Sequence, residues 1–409
     1  MCVLVVQPFA PLTIFLLLLP LRMLQMIAYW LETATLAQLQ GLWWFLCSVL
    51  GSLLIFLFFV QGGQTLLWQV AKTDVEKSLV INSLGKKWEL TFTTLVTFGG
   101  ALFAAFPKFY ATSFGGAYWV WVLILFTFII QAVSYEYRTK PRNLLGSKTF
   151  ETFLLINGSV GVLLIGAAVG TFFTGSNFTL SSYNLVTWTS SLRGLEAAFS
   201  LFNLSVGLFL VFNARAMGAM YLINNIDFTN AEELEERLRE AAFKNFTYSL
   251  PFLGWFLLQI IPMDGYAVTA SGEVVRQSFK YLLNLVEVPA LAVSLVAGLA
   301  LVVTGVLLTA KTKAKCGIWS SGLGTVLVGM TIFGLAGFNN TAFYPSKVDL
   351  QSSLTIHNAS SSLYTLQTMT WVALAIPFVL LYVAFVWRSL DMKKVSVAEV
   401  TGPEAEELY

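Results

Sequence analysis

Apolar runs of membrane length constrain this chain more than any other feature. The stretch from Gly85 to Arg138, GKKWELTFTTLVTFGGALFAAFPKFYATSFGGAYWVWVLILFTFIIQAVSYEYR, holds two of them, Leu90 to Phe106 and Tyr118 to Val133. At ~1.5 Å of rise per residue, each is about long enough to cross the hydrocarbon core of a bilayer. A short link, Pro107 to Gly116, joins them. Lys86, Lys87 and Glu89 stand where the first run begins, and Glu136 and Arg138 where the second finishes. The stretch therefore predicts a helical hairpin with its ionisable groups on one side of a membrane.

Composition extends this to the whole chain. Only 11% of the 409 residues are charged and 57% are hydrophobic, against roughly 25% charged in soluble domains. An all-α integral membrane protein is expected, and a soluble enzyme is excluded. The net charge of +2 does not point to nucleic acid, because the basic residues sit in short loops between apolar runs. Cys2, Cys47 and Cys316 are far apart and have no metal-ligand spacing, so they are read as packing residues or bystanders. A haem in a helix bundle needs axial ligands on facing helices. The sole histidine, His357, lies in a Ser/Asn-rich loop, so no haem is expected on this chain alone.

About nine spans are expected, at 43–66, 89–107, 117–136, 152–174, 194–216, 245–262, 286–309, 317–338 and 365–388. Residues 41–388 thus form a membrane domain. Residues 1–40 are an apolar extension, read as a signal-like segment, an extra span or the product of an upstream start. Residues 389–409 are a charged tail. Asp227 to Lys244 reads as a surface helix, acidic early and basic late, which suits the helix dipole. Gly166 and Gly170 let span 4 approach a neighbour closely. Segments following odd-numbered spans hold 18 of the 24 basic residues, among them Lys72, Lys87, Arg138, Arg215, Arg237, Lys313 and Arg388. By the positive-inside rule those segments and the C-terminus face the cytoplasm.

On that topology Gln61, Gln64, Glu89 and Glu136 fall in the cytoplasmic third of the membrane. A carboxylate there is a functional candidate, and amides with bound water can relay protons. The structural alternatives are that Glu89 favours a helix N-terminus and that Arg138 or Lys140 neutralises Glu136. On the outer side Arg193 and Glu196, three apart, are expected to form a structural ion pair. Trp43 and Trp44 fit an interfacial belt, and Asp264-Gly265-Tyr266 fits a turn. The 15% aromatic content suits a pocket for a quinone or lipid tail, or plain helix packing.

Several blocks, in order, carry a resemblance. They are Gly99-Gly100-Ala-Leu-Phe-Ala-Ala-Phe-Pro107 with Tyr110-Ala-Thr; Ser134-Tyr-Glu-Tyr-Arg138; Met263-Asp-Gly-Tyr266 with Glu273-Val-Val-Arg276; and Tyr344-Pro-Ser346, followed by Ser353 to Ser361 and Met369-Thr-Trp371. Over roughly residues 40 to 409 the chain resembles subunit II of the cytochrome bd-type quinol oxidases. The resemblance implies nine helices, as two four-helix bundles plus one peripheral helix, in the bacterial inner membrane. It implies a heterodimer with a subunit I that carries b-type and d-type haem, oxidises quinol and reduces oxygen to water. A small single-span subunit can accompany the pair. It further implies that subunit II holds no haem and can supply part of a proton path, an oxygen route or a lipid or quinone site.

The family's Asp-Gly-Phe-Asp segment in span 1 is Gln61-Gly62-Gly63-Gln64 here, and its Trp-Asp-Gly-Asn segment is Trp88-Glu89-Leu90-Thr91. Two acids have become amides while Glu89 keeps a carboxylate, so Glu89 is the expected proton entry. Two rivals remain: an inert assembly scaffold, and a secondary transporter in which Gln61 to Gln64 marks a broken helix.

Overall fold

The computed structural model describes residues 25–26, 29–140 and 143–402. Most of the predicted N-terminal extension lies outside them. Nine helical segments of 18 residues or more follow one another among the described residues. They are α1 (Leu36–Thr65), α2 (Trp88–Ala105), α3 (Tyr118–Tyr137), α4 (Ser147–Thr174), α5 (Leu201–Asn225), α6 (Glu232–Ile260), α7 (Pro289–Lys311), α8 (Gly317–Gly337) and α9 (Leu363–Asp391).

Seven of these are long and apolar enough to cross a membrane; α2 and α6 are the other two. Threonine dilutes α2, but its hydroxyls turn back on their own helix: Thr94 donates to the Leu90 carbonyl at 2.7 Å and Thr97 to that of Thr93 at 2.8 Å. Such bonds hide polar groups from lipid. The predicted surface helix and span 6 are one continuous helix, α6. Ion pairs such as Arg239–Glu235 line its first half, and its apolar second half carries Pro251.

Helix starts and stops shift for local reasons. Thr35 and Gln38 cap α1 reciprocally, so the first helix starts at Leu36, ahead of the expected 43. A 3-10 turn, Leu195–Phe199, precedes α5, which then runs to Asn225. Arg215, counted with the basic segment after span 5, therefore lies well inside a helix.

α1 to α4 form one group and α5 to α8 a second, with α1, α4, α5 and α8 packed across the seam. Close contacts explain the small residues. A Cβ on Gly62 would meet the Ala214 carbonyl group of α5 at 2.0 Å, and one on Gly166 would meet Cα of Gly207 at 2.6 Å. The aromatic core lies toward one end, where Trp44 packs edge-on to Phe106 at 5.6 Å and against Phe343 at 4.4 Å. Trp43 and Trp44 are buried and donate to Thr370 and to the Phe333 carbonyl, so they are core residues and not an interfacial belt. α9 is peripheral, with only 6% of its apolar window covered.

The two ends differ. At one, the α4–α5, α6–α7 and α8–α9 connections build a cap from two antiparallel hairpins. These pair β1 (Phe178–Leu180) with β2 (Val186–Trp188), and β3 (Gly265–Val268) with β4 (Val274–Gln277). Gly265 and Tyr266 thus start a strand rather than a turn, and Tyr344 stacks on Phe178 at 5.4 Å. At the other, basic end, the α1–α2 link meets the tail. Lys87 pairs with Asp391 at 2.8 Å, and Val395 is held between Asn225 and Asp227 by backbone hydrogen bonds. Part of the charged tail is therefore docked.

Candidate functional site

Polar side chains from three helices meet inside the first group, toward the basic end. Gln61 and Gln64 are one turn apart on α1, Gln131 and Tyr135 one turn apart on α3. Asn157 opens a π-turn, Asn157–Gly161, within α4. All five are buried. Gln61 Nε2 donates to Gln131 Oε1 at 3.3 Å, and Gln131 Nε2 to Gln64 Oε1 at 3.0 Å. Tyr135 donates to the same oxygen at 3.1 Å. Gln64 Nε2 donates to Asn157 Oδ1 at 2.7 Å, and Asn157 Nδ2 reaches Thr127 at 3.3 Å. The result is one connected amide track across α1, α3 and α4. Gln61 Oε1 alone is left without a partner. Gly158 makes the closeness possible, since a Cβ there would lie 2.2 Å from the Gln61 carbonyl oxygen.

Two turns before Asn157 on α4 stands Glu151, with its side chain 1% exposed. Arg138 donates to Oε1 through Nε at 3.3 Å and Nη2 at 3.1 Å. Trp68 Nε1 donates to Oε2 at 2.7 Å, and Lys77 lies 3.4 Å from the same atom. The carboxylate is thus enclosed by two cations and an indole N–H, and removing it would leave buried positive charge without a partner. Arg215, half-buried, makes a second junction, donating to Asn245 at 2.7 Å, to Thr65 at 2.8 Å and to Gln69 at 2.7 Å. Outside the spans, two hydrogen bonds from Thr229 hold the Asp227 carboxyl below its ordinary value.

The structure therefore unites two of the four predicted proton-path residues, Gln61 and Gln64. Glu89 and Glu136 point outward and are exposed. Trp88 stacks on Tyr135 at 5.9 Å, which sets the two following glutamates level on neighbouring helices. Glu89 occupies the first turn of α2. Arg138 does not neutralise Glu136; it is committed to Glu151. The expected Arg193–Glu196 ion pair is not formed. Arg193 has positive φ and lies over the Tyr118 ring at 5.2 Å, while Glu196 accepts from the Gly194 amide at 2.9 Å. A turn, not a helix, separates them, so spacing of three does not bring their heads together.

Sequence reasoning missed Glu151, Gln131 and Asn157. Gln131 carried a signal, as a lone amide in the apolar run Phe126 to Val133. Glu151 carried none, because its partners lie 13 and 74 residues away. The glycines of Gln61 to Gln64 serve helix contact with α5, and that helix is unbroken there. Among the described residues no group of three or more His, Cys, Asp or Glu suits a metal ion. His357 hydrogen-bonds Gln40 through Nδ1 at 2.8 Å in the end cap. An apolar cavity of about 160 Å³ lies among α4 to α8, lined by residues such as Phe173, Leu253 and Val328.

A family model described as cytochrome bd terminal oxidase subunit II matches residues 39–390. The chain belongs to that family. It is 30% identical over 368 residues to cytochrome bd-I ubiquinol oxidase subunit 2 of Escherichia coli K12, covering 85% of this chain and 93% of the other. Its fold is similar to a chain of the bd oxidase from Geobacillus thermodenitrificans. That match has a TM-score of 0.60 and 16% identity and covers 87% of this chain and 99% of that one. The bd family and the apolar helices make it a multi-pass protein of the bacterial inner membrane and a subunit of an oxidoreductase complex. Its partner there is a subunit I, which carries the haems.

Proposed function

We propose that this chain is the haem-free half of a terminal quinol oxidase. Subunit I oxidises quinol and reduces oxygen to water on its b- and d-type haems; this chain braces it and borders its proton supply. The observation that carries the proposal is the family match over nearly the whole membrane domain, residues 39–390. The nine helical segments cross the membrane in turn, with the basic end and the C-terminus in the cytoplasm.

The level pair Glu89 and Glu136 supports a proton entry on the outer face of α2 and α3, beside exposed apolar residues such as Val133 and Tyr137. A carboxylate there can collect a proton from the cytoplasm and pass it along the seam with the haem-bearing subunit. The amide track cannot change charge, so it acts through bound water or as a brace. The apolar cavity among α4 to α8 suits a lipid or quinone tail. A small single-span subunit can be accommodated against α9, whose surface is open.

The test uses the assembled oxidase. Co-purification of b- and d-type haem absorbance is expected, and a stable haem-free monomer would point to a transporter instead. In the same complex the double change Glu89→Gln with Glu136→Gln is expected to slow oxygen consumption at least ~10-fold while leaving the haem spectrum intact. Full activity with unchanged proton uptake would leave the chain a scaffold only.

A further inference from the structure

At the basic end a cleft of about 620 Å³ opens between α9 and the ends of α5 and α8. Its wall changes character along α9. Leu380 is apolar, and Trp387, Arg388 and Asp391 follow toward the surface, with Asn224 and Trp319 opposite. Apolar at depth and ionic at the rim is the polarity order of a membrane lipid.

Three groups there have unmet needs. Arg388 is exposed and has neither ion pair nor hydrogen bond among the described residues. Trp387 Nε1 is a buried donor without an acceptor, and Asp391 Oδ2 a buried acceptor without a donor. An unmet buried group is costly unless something supplies the bond. The other Asp391 oxygen is already taken by Lys87 at 2.8 Å. Lys87 and Asp391 cancel, so the cleft retains the single positive charge of Arg388.

We infer that this cleft binds one anionic glycerophospholipid with a hydroxylated headgroup, of the phosphatidylglycerol type. Its phosphate takes the Arg388 guanidinium and the Trp387 N–H; its headgroup hydroxyl donates to Asp391 Oδ2; its acyl chain lies along the cleft's own apolar wall, Leu380, Val383 and Ala384. The phosphate's single negative charge neutralises the site. A choline lipid cannot do the same, because its headgroup has no N–H or O–H to give Asp391 and leaves the site positive.

Native mass spectrometry of the delipidated, assembled oxidase tests this, with dioleoylphosphatidylglycerol or dioleoylphosphatidylcholine added back. Wild type is expected to hold about one phosphatidylglycerol more than the complex carrying Arg388→Gln, and more than that carrying Trp387→Phe, which keeps the ring and loses the donor. Phosphatidylcholine should show no such difference. Arg388 has no partner to lose, so its variant keeps the fold. Equal phosphatidylglycerol retention in wild type and Arg388→Gln overturns the inference, as does equal retention of the two lipids by wild type. Removal of residues 403–409 is expected to change nothing; a several-fold gain in lipid would assign the cleft to the chain's own acidic end and overturn it too.

Discussion

Glu151 shows how much one side chain can hold. It joins the α1–α2 link, α3 and α4 through Lys77, Arg138 and Trp68. Replacing it by Gln keeps the shape but strands two cations around a neutral amide. Glu151→Gln is expected to cost about 3–5 kcal/mol, read as a lower midpoint of thermal unfolding for the assembled complex. Gln64 is the hub of the amide track, accepting from Gln131 and Tyr135 and donating to Asn157. Gln64→Leu should therefore orphan more than one buried group, at ~1–3 kcal/mol each. Gln64→Glu tests its chemistry as well. It puts an acid at the hub, and a gain in proton uptake without loss of assembly would show that the track conducts. At Glu89 the expectation is different: it is exposed, so Glu89→Gln should leave stability unchanged and act only on turnover.

Among the helices, contact distance decides which small residues matter. Gly62 and Gly100 are both glycines on apolar helices, but their surroundings are opposite. A Cβ at Gly62 collides with the backbone of α5, whereas one at Gly100 meets nothing within 4 Å. Gly62→Ala should separate α1 from α5 and cost at least the ~1–3 kcal/mol of over-packing. Gly100→Ala should be neutral within ~0.5 kcal/mol, or slightly stabilising through helix propensity. Expression level and thermal midpoint of the two complexes check the pair; equal loss in both would mean that the α1–α5 contact is looser than drawn. α6 is also an element-scale result. Its charged first half and apolar second half read as two objects in sequence, yet one helix runs through both from the basic end into the second group, lacking only the bond that Pro251 cannot donate.

For the molecule as a whole, the ends are built to different standards. One is closed by two hairpins and the Tyr344–Phe178 stack, the other by ion pairs and a docked tail. Truncation after Asp391 removes the Val395 hydrogen bonds to Asn225 and Asp227 and the Lys86–Glu399 pair. It should cost about 1–3 kcal/mol in the assembled oxidase, seen as a lower unfolding midpoint with the haem spectrum retained; no change would make the tail a passenger. Run length, charge deficit and ordered motif blocks were sufficient for the membrane class, the positions of most helical segments and the family. These are local properties, because lipid obliges each apolar run to satisfy its own backbone as a helix. The site was only half legible. Gln61 and Gln64 stood out as amides in an apolar run, but whether Glu89, Glu136 or Glu151 turned inward depended on helix rotation and on partners up to 74 residues away. Rotation is set by packing between helices, which local sequence does not encode, and so the buried carboxylate is Glu151, bound by Arg138, one of the two cations, with Lys140, that local reading offers to Glu136.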